Sequence, residues 1–266
     1  MTAIQEQLID WLQSERQADE GIIPEDMPSD DASQRKMLHG LMNIRPAKPI
    51  PAEILDVQNR YLKAFNQNHP RISWTDTEHY TEQLSLWQGD IRLLAVDAIV
   101  NAANSQMLGC FIPNHLCIDN VIQTQAGMQM RYDLSQMMAA SNQRYEPIGK
   151  VKVTNGYNLR ARYVFHTVGP RIMKGKVTPL RRDMLRSCYL ACLKEADAMQ
   201  LETLAFCCLS TGEFQFPNDQ AADIAINTVR NYLTTTHSRL KVIFNVFKDL
   251  DYHLYQERLE KIERGQ

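Results

Sequence analysis

Two stretches decide the fold: Trp87-Gln-Gly-Asp-Ile91 and, shortly after it, Asp97-Ala-Ile-Val-Asn-Ala-Ala-Asn104. Ala98–Val100 is a short apolar run that reads as a buried strand, and Asn101 and Asn104 put amides at its end. Gly89 can take the backbone bend that closes the preceding strand, and Asp90 then offers a carboxylate to an exocyclic amine. An Asn at a strand end can hydrogen-bond a sugar hydroxyl; alternatively it stabilises its own loop, a reading that suffices for Asn101 and stays open for Asn104.

Outward from these stretches, short β-rich runs alternate with longer helix-like segments. The expected strands are Leu84–Gln88, Ala98–Ala102, Val151–Thr154, Tyr163–Thr167, Thr203–Leu209 and Val242–Val246. The expected helices are Leu116–Gln125, Arg181–Met199, Asp219–Leu233 and Asp251–Ile262. This alternation implies a layered α/β domain over residues 76–266, with ligand loops beyond the carboxyl ends of its strands. Residues 1–75 read instead as a helical extension. Ile4, Leu8 and Leu12 share one helix face, Gly21 to Asp31 is loop, and a proline-punctuated turn leads to a helix over Ala52–Asn66.

Two further motifs sit at strand ends. Leu209-Ser-Thr-Gly-Glu-Phe214 follows an apolar strand and leads to a helix. The main-chain N–H groups of Ser210, Thr211, Gly212 and Glu213 could converge on an anion, and Phe214 could lie against a ribose or base; the alternative is a plain connecting loop. Cys110, His115 and Cys117 form a Cys-x4-His-x-Cys cluster, a donor set that suits Zn2+ and leaves a fourth position open. The alternative there is a surface histidine flanked by two buried thiols. Asp119 stands at the start of the expected helix, where the helix dipole favours a carboxylate. It could orient water or hold a ribose hydroxyl, with Asn104 and Asn120 holding the same ribose, or it could simply cap its helix.

Composition limits the partners. Hydrophobic residues make up 44% of the 266-residue chain, charged residues 23%, and the formal net charge is −2, so no global basic field draws nucleic acid or anionic membrane. No apolar stretch reaches the length of a membrane helix, and Met1 to Trp11 lacks the apolar segment of a signal peptide. The six cysteines then read as reduced thiols or metal ligands in a cytoplasmic protein.

Taken together, Gly89-Asp90-Ile91, Asp97 to Asn104, the loop and helix ending Ala126-Gly127, Asn155-Gly-Tyr-Asn-Leu159, Tyr163-Val-Phe-His-Thr-Val-Gly-Pro170 and Ser210-Thr-Gly212 resemble the macrodomain nucleotide site over about residues 82–250. Most catalytic macrodomains carry a glycine run after the Asn-rich strand; here the Cys110 to Cys117 segment stands in its place, which resembles the zinc-dependent subfamily with its N-terminal helical extension. Gln123 is a departure, standing where related sequences often have His. The resemblance implies a three-layer α/β/α macrodomain with a mixed central sheet. It implies ADP-ribose held by Asp90, Ile91, Asn104, Asp119, Asn120 and the Ser210–Phe214 loop, and zinc held by Cys110, His115 and Cys117. The implied activity is hydrolysis of mono-ADP-ribose from an acidic side chain of a modified protein, with Asp119, Asn104 and Asn120 as the catalytic set. The implied partners are a sirtuin-class ADP-ribosyltransferase and a lipoyl-carrier protein as substrate. The rival reading is a module that binds ADP-ribose without cleaving it, its zinc structural.

Overall fold

The computed structural model describes residues 2–172 and 176–265. Its elements run α1 (Thr2–Glu20), α2 (Asp31–Ile44), α3 (Ala52–Asn68), β1 (Glu78–His79), β2 (Leu84–Gln88), β3 (Ala98–Ala102), α4 (Ile118–Ala126), α5 (Met128–Ala140), β4 (Val151–Asn155), β5 (Tyr163–Thr167), α6 (Pro179–Ala198), β6 (Thr203–Phe206), α7 (Asn218–Thr236), β7 (Lys241–Val246) and α8 (Asp249–Glu263). They form two compact units. One comprises Met1–His69, Gln106–Arg144 and Tyr157–Leu159; the other comprises Pro70–Ser105, Tyr145–Gly156 and Arg160–Gln266. Among the described residues, no helix is long and apolar enough to cross a membrane.

The second unit is built on a seven-stranded mixed sheet in the order β1-β2-β7-β6-β3-β5-β4. The strands from β2 to β5 run parallel, and β1 and β4 join antiparallel at the two edges. Four consecutive residues of β3, Ala98 to Asn101, are wholly buried, the unbroken pattern of a central parallel strand. Helices α6, α7 and α8 belong to this unit. β6 ends at Phe206, short of the expected Leu209, so Cys207 and Cys208 follow the strand rather than lie in it. Cys207 is nevertheless a core residue, and burial pushes its thiol up to about 12. β1 has only two residues, too few to leave an alternation in the sequence.

Two polar clusters pin the sheet. At the entry to β3, the Asp97 carboxylate accepts from Glu202 N at 2.9 Å, Thr203 N at 3.0 Å and Arg162 Nη1 at 2.9 Å. Burial alone would raise the Asp97 carboxyl, but these donors outweigh it and hold it below its ordinary value. Deeper in the sheet, His166 of β5 has no exposed surface. Asn101 Nδ2 of β3 donates to His166 Nδ1 at 3.1 Å, and the opposite ring nitrogen, Nε2, lies 3.0 Å from Thr154 Oγ1 of β4. The amide donor assigns the proton to Nε2, which then donates to Thr154. Asn101 is thus a cross-strand donor, neither a turn residue nor a sugar ligand.

The first unit is helical. Leu8, Ile9 and Leu12 of α1 pack with Leu38 and Met42 of α2, with Ile54, Val57, Tyr61 and Leu62 of α3, and with Met128 of α5. The expected Ile4-Leu8-Leu12 face is therefore the one that faces this core, with Ile4 at its rim. α2 begins where loop is expected: Asp30 caps it, its side chain accepting from Ser33 N at 2.9 Å.

Burial pushes His166 down to about 3. Because its folded-state value lies below the ordinary ~6.5, protonation favours unfolding: stability is full above that value and falls as pH drops through the window from about 6.5 to 3. Denaturant unfolding of chelator-treated protein at pH 7 and pH 5 should show a loss of about 2 kcal/mol from this ring alone. In His166→Gln that part of the pH dependence should vanish; an unchanged slope would place the acid sensitivity elsewhere.

Candidate functional site

Residues Gly109 to Cys117 form neither helix nor strand; one main-chain bond, His115 N to Ile112 O at 3.2 Å, turns the segment, and side chains hold the rest. The ligand atoms of Cys110, His115 and Cys117 all lie within 4.8 Å of one another, and Cys110 Sγ is 3.5 Å from His115 Nδ1. A tetrahedral zinc with ordinary Zn–S and Zn–N bonds separates its sulfur and nitrogen ligands by about 3.6 Å. Two soft thiols and an imidazole, half-buried and this close, fit zinc in both chemistry and spacing. Burial pushes the Cys117 thiol up, the N–H of Asn120 opposes this, and the neighbouring Cys110 and Asp119 push it further up. Such a group of donors is short of positive charge.

Asp119 is the second residue of α4 and is 5% exposed. The N-cap position belongs to Cys117, which makes no side-chain cap bond, and Asp119 stands in the first turn of α4. Gln123, one turn on, donates from Nε2 to Asp119 Oδ1 at 3.3 Å. The residue that breaks the family pattern therefore orients this carboxylate. Asn120 is also buried, and both of its amide hydrogens are committed: Nδ2 donates to Ile112 O at 3.3 Å and to His115 O at 2.9 Å. In the structure its Nδ2 thus holds the candidate ligand loop.

Sequence reading passed over Arg131 of α5. It is buried, its Nη1 donates to Met42 O and Asn43 O at 3.5 and 2.7 Å and also to Arg45 O, and its guanidinium stacks 4.3 Å from the centroid of Phe111. Burial lowers it to about 10, while Asp119 and Cys110 pull the other way. It is a fixed positive charge beside the segment that carries the candidate ligands. An Arg amid methionines in a helix carries no sequence signal of such a role.

The other expected residues belong to the sheet unit. Asp90 lies at the end of β2 and caps the short turn Ile91–Leu93. Its carboxylate is clasped by Arg92, with N and Nε on Oδ1 at 3.0 Å each and Nε on Oδ2 at 2.9 Å. An exocyclic amine would therefore share that carboxylate with the guanidinium, a pairing the sequence did not suggest. Main-chain bonds join Gly89 N to Val246 O at 2.9 Å, and the next residue, Phe247, is 76% exposed. A flat apolar ring beside this turn offers a stacking surface for a base, and the only sequence cue was an aromatic directly after a strand. Asn104 is half-buried just beyond β3.

The Ser210–Phe214 loop follows β6. Ser210 adopts φ 68°, and the loop closes on itself through Gln215 N to Gly212 O and Phe216 N to Ser210 O, both 2.9 Å. Thr211 turns back onto Cys208 O through its hydroxyl at 3.0 Å and its N–H at 3.4 Å. Among the described residues, the N–H groups of Ser210, Gly212 and Phe214 have no protein acceptor, while that of Thr211 is used within the loop. The Ser210 hydroxyl fits against Gly169, where any Cβ would come within 2.0 Å of Oγ. Gly169 is therefore a glycine for close approach, and it carries the Val-Gly-Pro stretch up to the phosphate-type loop.

The Macro domain family model matches residues 100–225. A protein-ADP-ribose hydrolase of Staphylococcus aureus is 46% identical over 260 residues, covering 96% of this chain and 95% of that one. A protein of the same name from Treponema medium is 39% identical over 254 residues, covering 94% and 95%. Among solved structures, a mutant macrodomain of Oceanobacillus iheyensis with ADPR superposes with a TM-score of 0.63 at 29% identity, covering 71% of this chain and 98% of that one. The mixed sheet, the strand-end loops and the near full-length relatives agree, and the chain belongs to the Macro domain family.

Proposed function

We propose that this protein hydrolyses ADP-ribose from modified proteins, that the modified group is an acidic side chain, and that the reaction depends on zinc held by Cys110, His115 and Cys117. Hydrolysis rests on the near full-length similarity to proteins named protein-ADP-ribose hydrolase. The metal rests on one observation, the three ligand atoms within 4.8 Å of one another in a loop shaped for them. Zinc there would supply Lewis-acid polarisation of an oxygen and activation of water.

The chain's own groups take the remaining roles. Asp90 and the main chain at Ile91 receive the adenine edge, and Phe247 backs the ring. The N–H groups of Ser210, Gly212 and Phe214 face the diphosphate, which a chain of net charge −2 cannot attract by bulk field. Glu213 lies in the same loop. Asn104 holds a ribose hydroxyl. Asp119, steadied by Gln123, accepts a proton from the attacking water or fixes a ribose hydroxyl, and Asn120 keeps the ligand loop in shape. Water adds at the sugar carbon, the bond to the carboxyl oxygen breaks, and ADP-ribose and a free carboxylate leave. A lipoyl-carrier protein, modified by a sirtuin-class transferase in the cytoplasm, is the proposed substrate.

The test is incubation of zinc-loaded protein with a protein mono-ADP-ribosylated on acidic side chains, reading free ADP-ribose. Elemental analysis should find one zinc per chain, and a chelator should silence release while leaving the circular dichroism intact. Binding without release would make the protein a reader, and unfolding on chelation would make the metal structural. Zinc affinity should fall in acid as the thiolates and imidazole take up protons.

Asp119→Ala should keep its zinc and its melting temperature while turnover falls by about 100-fold or more. Near-normal turnover by the zinc-loaded variant would remove Asp119 from the chemistry.

Gly212→Val should weaken ADP-ribose binding measured by calorimetry much more than Ser210→Ala does. The position of Gly212 is open around a Cβ in the free protein, so a loss there reports crowding of the ligand rather than a folding defect. The reverse ranking would mean that side chains, not amides, hold the phosphates.

A further inference from the structure

The metal-ligand segment is fastened to the end of a helix that lies far away in sequence. Asn43, in the last turn of α2, is 3% exposed and uses both ends of its amide. Its Oδ1 accepts from Asn114 N at 2.9 Å, inside the Cys110–Cys117 loop. Its Nδ2 donates to Thr124 Oγ1 at 2.7 Å, and that hydroxyl donates to Asn120 O at 2.7 Å. Asn120 in turn holds the carbonyls of Ile112 and His115. The circuit therefore runs from α2 to the loop, from α2 to α4, and from α4 back to the loop on either side of Asn114. Asn114 itself sits at φ 56°, a left-handed conformation that Asn tolerates, in a turn closed by His115 N on Ile112 O at 3.2 Å and held from outside by Asn43. Gly40, one turn before Asn43, allows the approach, since a Cβ there would come within 2.9 Å of Asn114 Nδ2. Arg131 fixes the same end of α2 by donating to the carbonyls of Met42, Asn43 and Arg45.

We infer that Asn43 is a positioning residue for the metal-ligand loop, so that the N-terminal helices are a working part of the metal centre rather than an appendage. The inference rests on the zinc reading for its metal arm, and on the loop geometry alone for its second arm. Neither apolar burial nor helix capping requires an amide with both ends used at this position. The simplest structural role would be met by any side chain that packs; the observed role needs an acceptor for Asn114 N–H and a donor for Thr124.

Full-length Asn43→Ala, Asn43→Asp and Thr124→Val proteins test this. In competition with a chromogenic chelator, Asn43→Ala should lose about 10- to 100-fold in zinc affinity, the usual cost of removing a group that orients ligands. Its far-UV circular dichroism should match the parent. In metal-free protein, amide hydrogen exchange should quicken across residues 110–117 while protection in α1 and α3 stays. Asn43→Asp keeps the acceptor and should restore protection at Asn114; Thr124→Val, which removes the other arm, should quicken exchange at Ile112 and His115. Wild-type zinc affinity together with wild-type loop exchange in folded Asn43→Ala would overturn the inference. Should Asn43→Ala fail to fold, the aspartate and Thr124 variants decide it by the same exchange readout. A parent protein that takes up no zinc would defeat the metal reading alone, and the exchange measurement would still decide whether Asn43 holds the loop.

Discussion

A loop without helix or strand holds three candidate ligand atoms within 4.8 Å, and its own backbone contributes one turn, His115 N on Ile112 O at 3.2 Å. The rest of its order comes from outside: Asn43 on Asn114 N, Asn120 on the carbonyls of Ile112 and His115, and Arg131 stacked on Phe111. Each is a buried polar or charged group, and each is costly to bury unless satisfied. That constraint explains why α2 ends where it does, why α5 carries an arginine in an otherwise methionine-rich face, and why Asn120 has no amide hydrogen left for a ligand.

The sheet unit solves a different problem by the same means. Asp97 ties the entries of β3, β5 and β6 together, and the Asn101–His166–Thr154 chain crosses the sheet further along. With the strands fixed, the segments after β2, β3, β6 and β7 are free to be irregular, and that is where the functional candidates stand: Asp90 and Ile91, Asn104, Ser210 to Phe214, and Phe247. A rigid frame carrying irregular loops at its strand ends is how such sheets combine stability with binding.

Most of the sheet was legible in the sequence because buried parallel strands write themselves as unbroken apolar runs. Ala98–Ala102 and Tyr163–Thr167 coincide with the expected spans, and α4, Ile118–Ala126, lies within two residues of the expected Leu116–Gln125 at each end. α2 was not legible: His39 and Gly40 interrupt its apolar stripe, and the Asp30 cap lies in an acidic stretch that looks like loop. α5 hid for a related reason, since its buried face is three methionines, a leucine and an arginine. The candidate ligands could be read from residue type and spacing, which is what metal chemistry selects. Their supports could not, because Asn43 and Arg131 act through pairings 71 and 88 residues apart in sequence. Nor could linear texture show that residues 106–144 fold with the N-terminal helices. Phe247 and the Arg92 clasp on Asp90 were missed because exposure and side-chain pairing leave no period.

Charge ties the helical unit's chemistry together. Half-buried Cys110 and Cys117 and buried Asp119 can each carry a negative charge, and Arg131 supplies one positive charge beside them. On the proposed reading, a divalent ion makes the group neutral with both thiols ionised. Without it, burial first and then the neighbouring Cys110 and Asp119 push the Cys117 thiol toward its protonated form. Burial of a charge is tolerated where the surroundings balance it, so on the proposed reading Arg131 and the metal would be two halves of one arrangement. An arginine that only capped α2 would need no acidic neighbours. By donating to the carbonyls of Met42, Asn43 and Arg45 and stacking on Phe111, Arg131 sets the loop's position and brings a positive charge to it at once, so that on the proposed reading α2 and α5 take part in the centre.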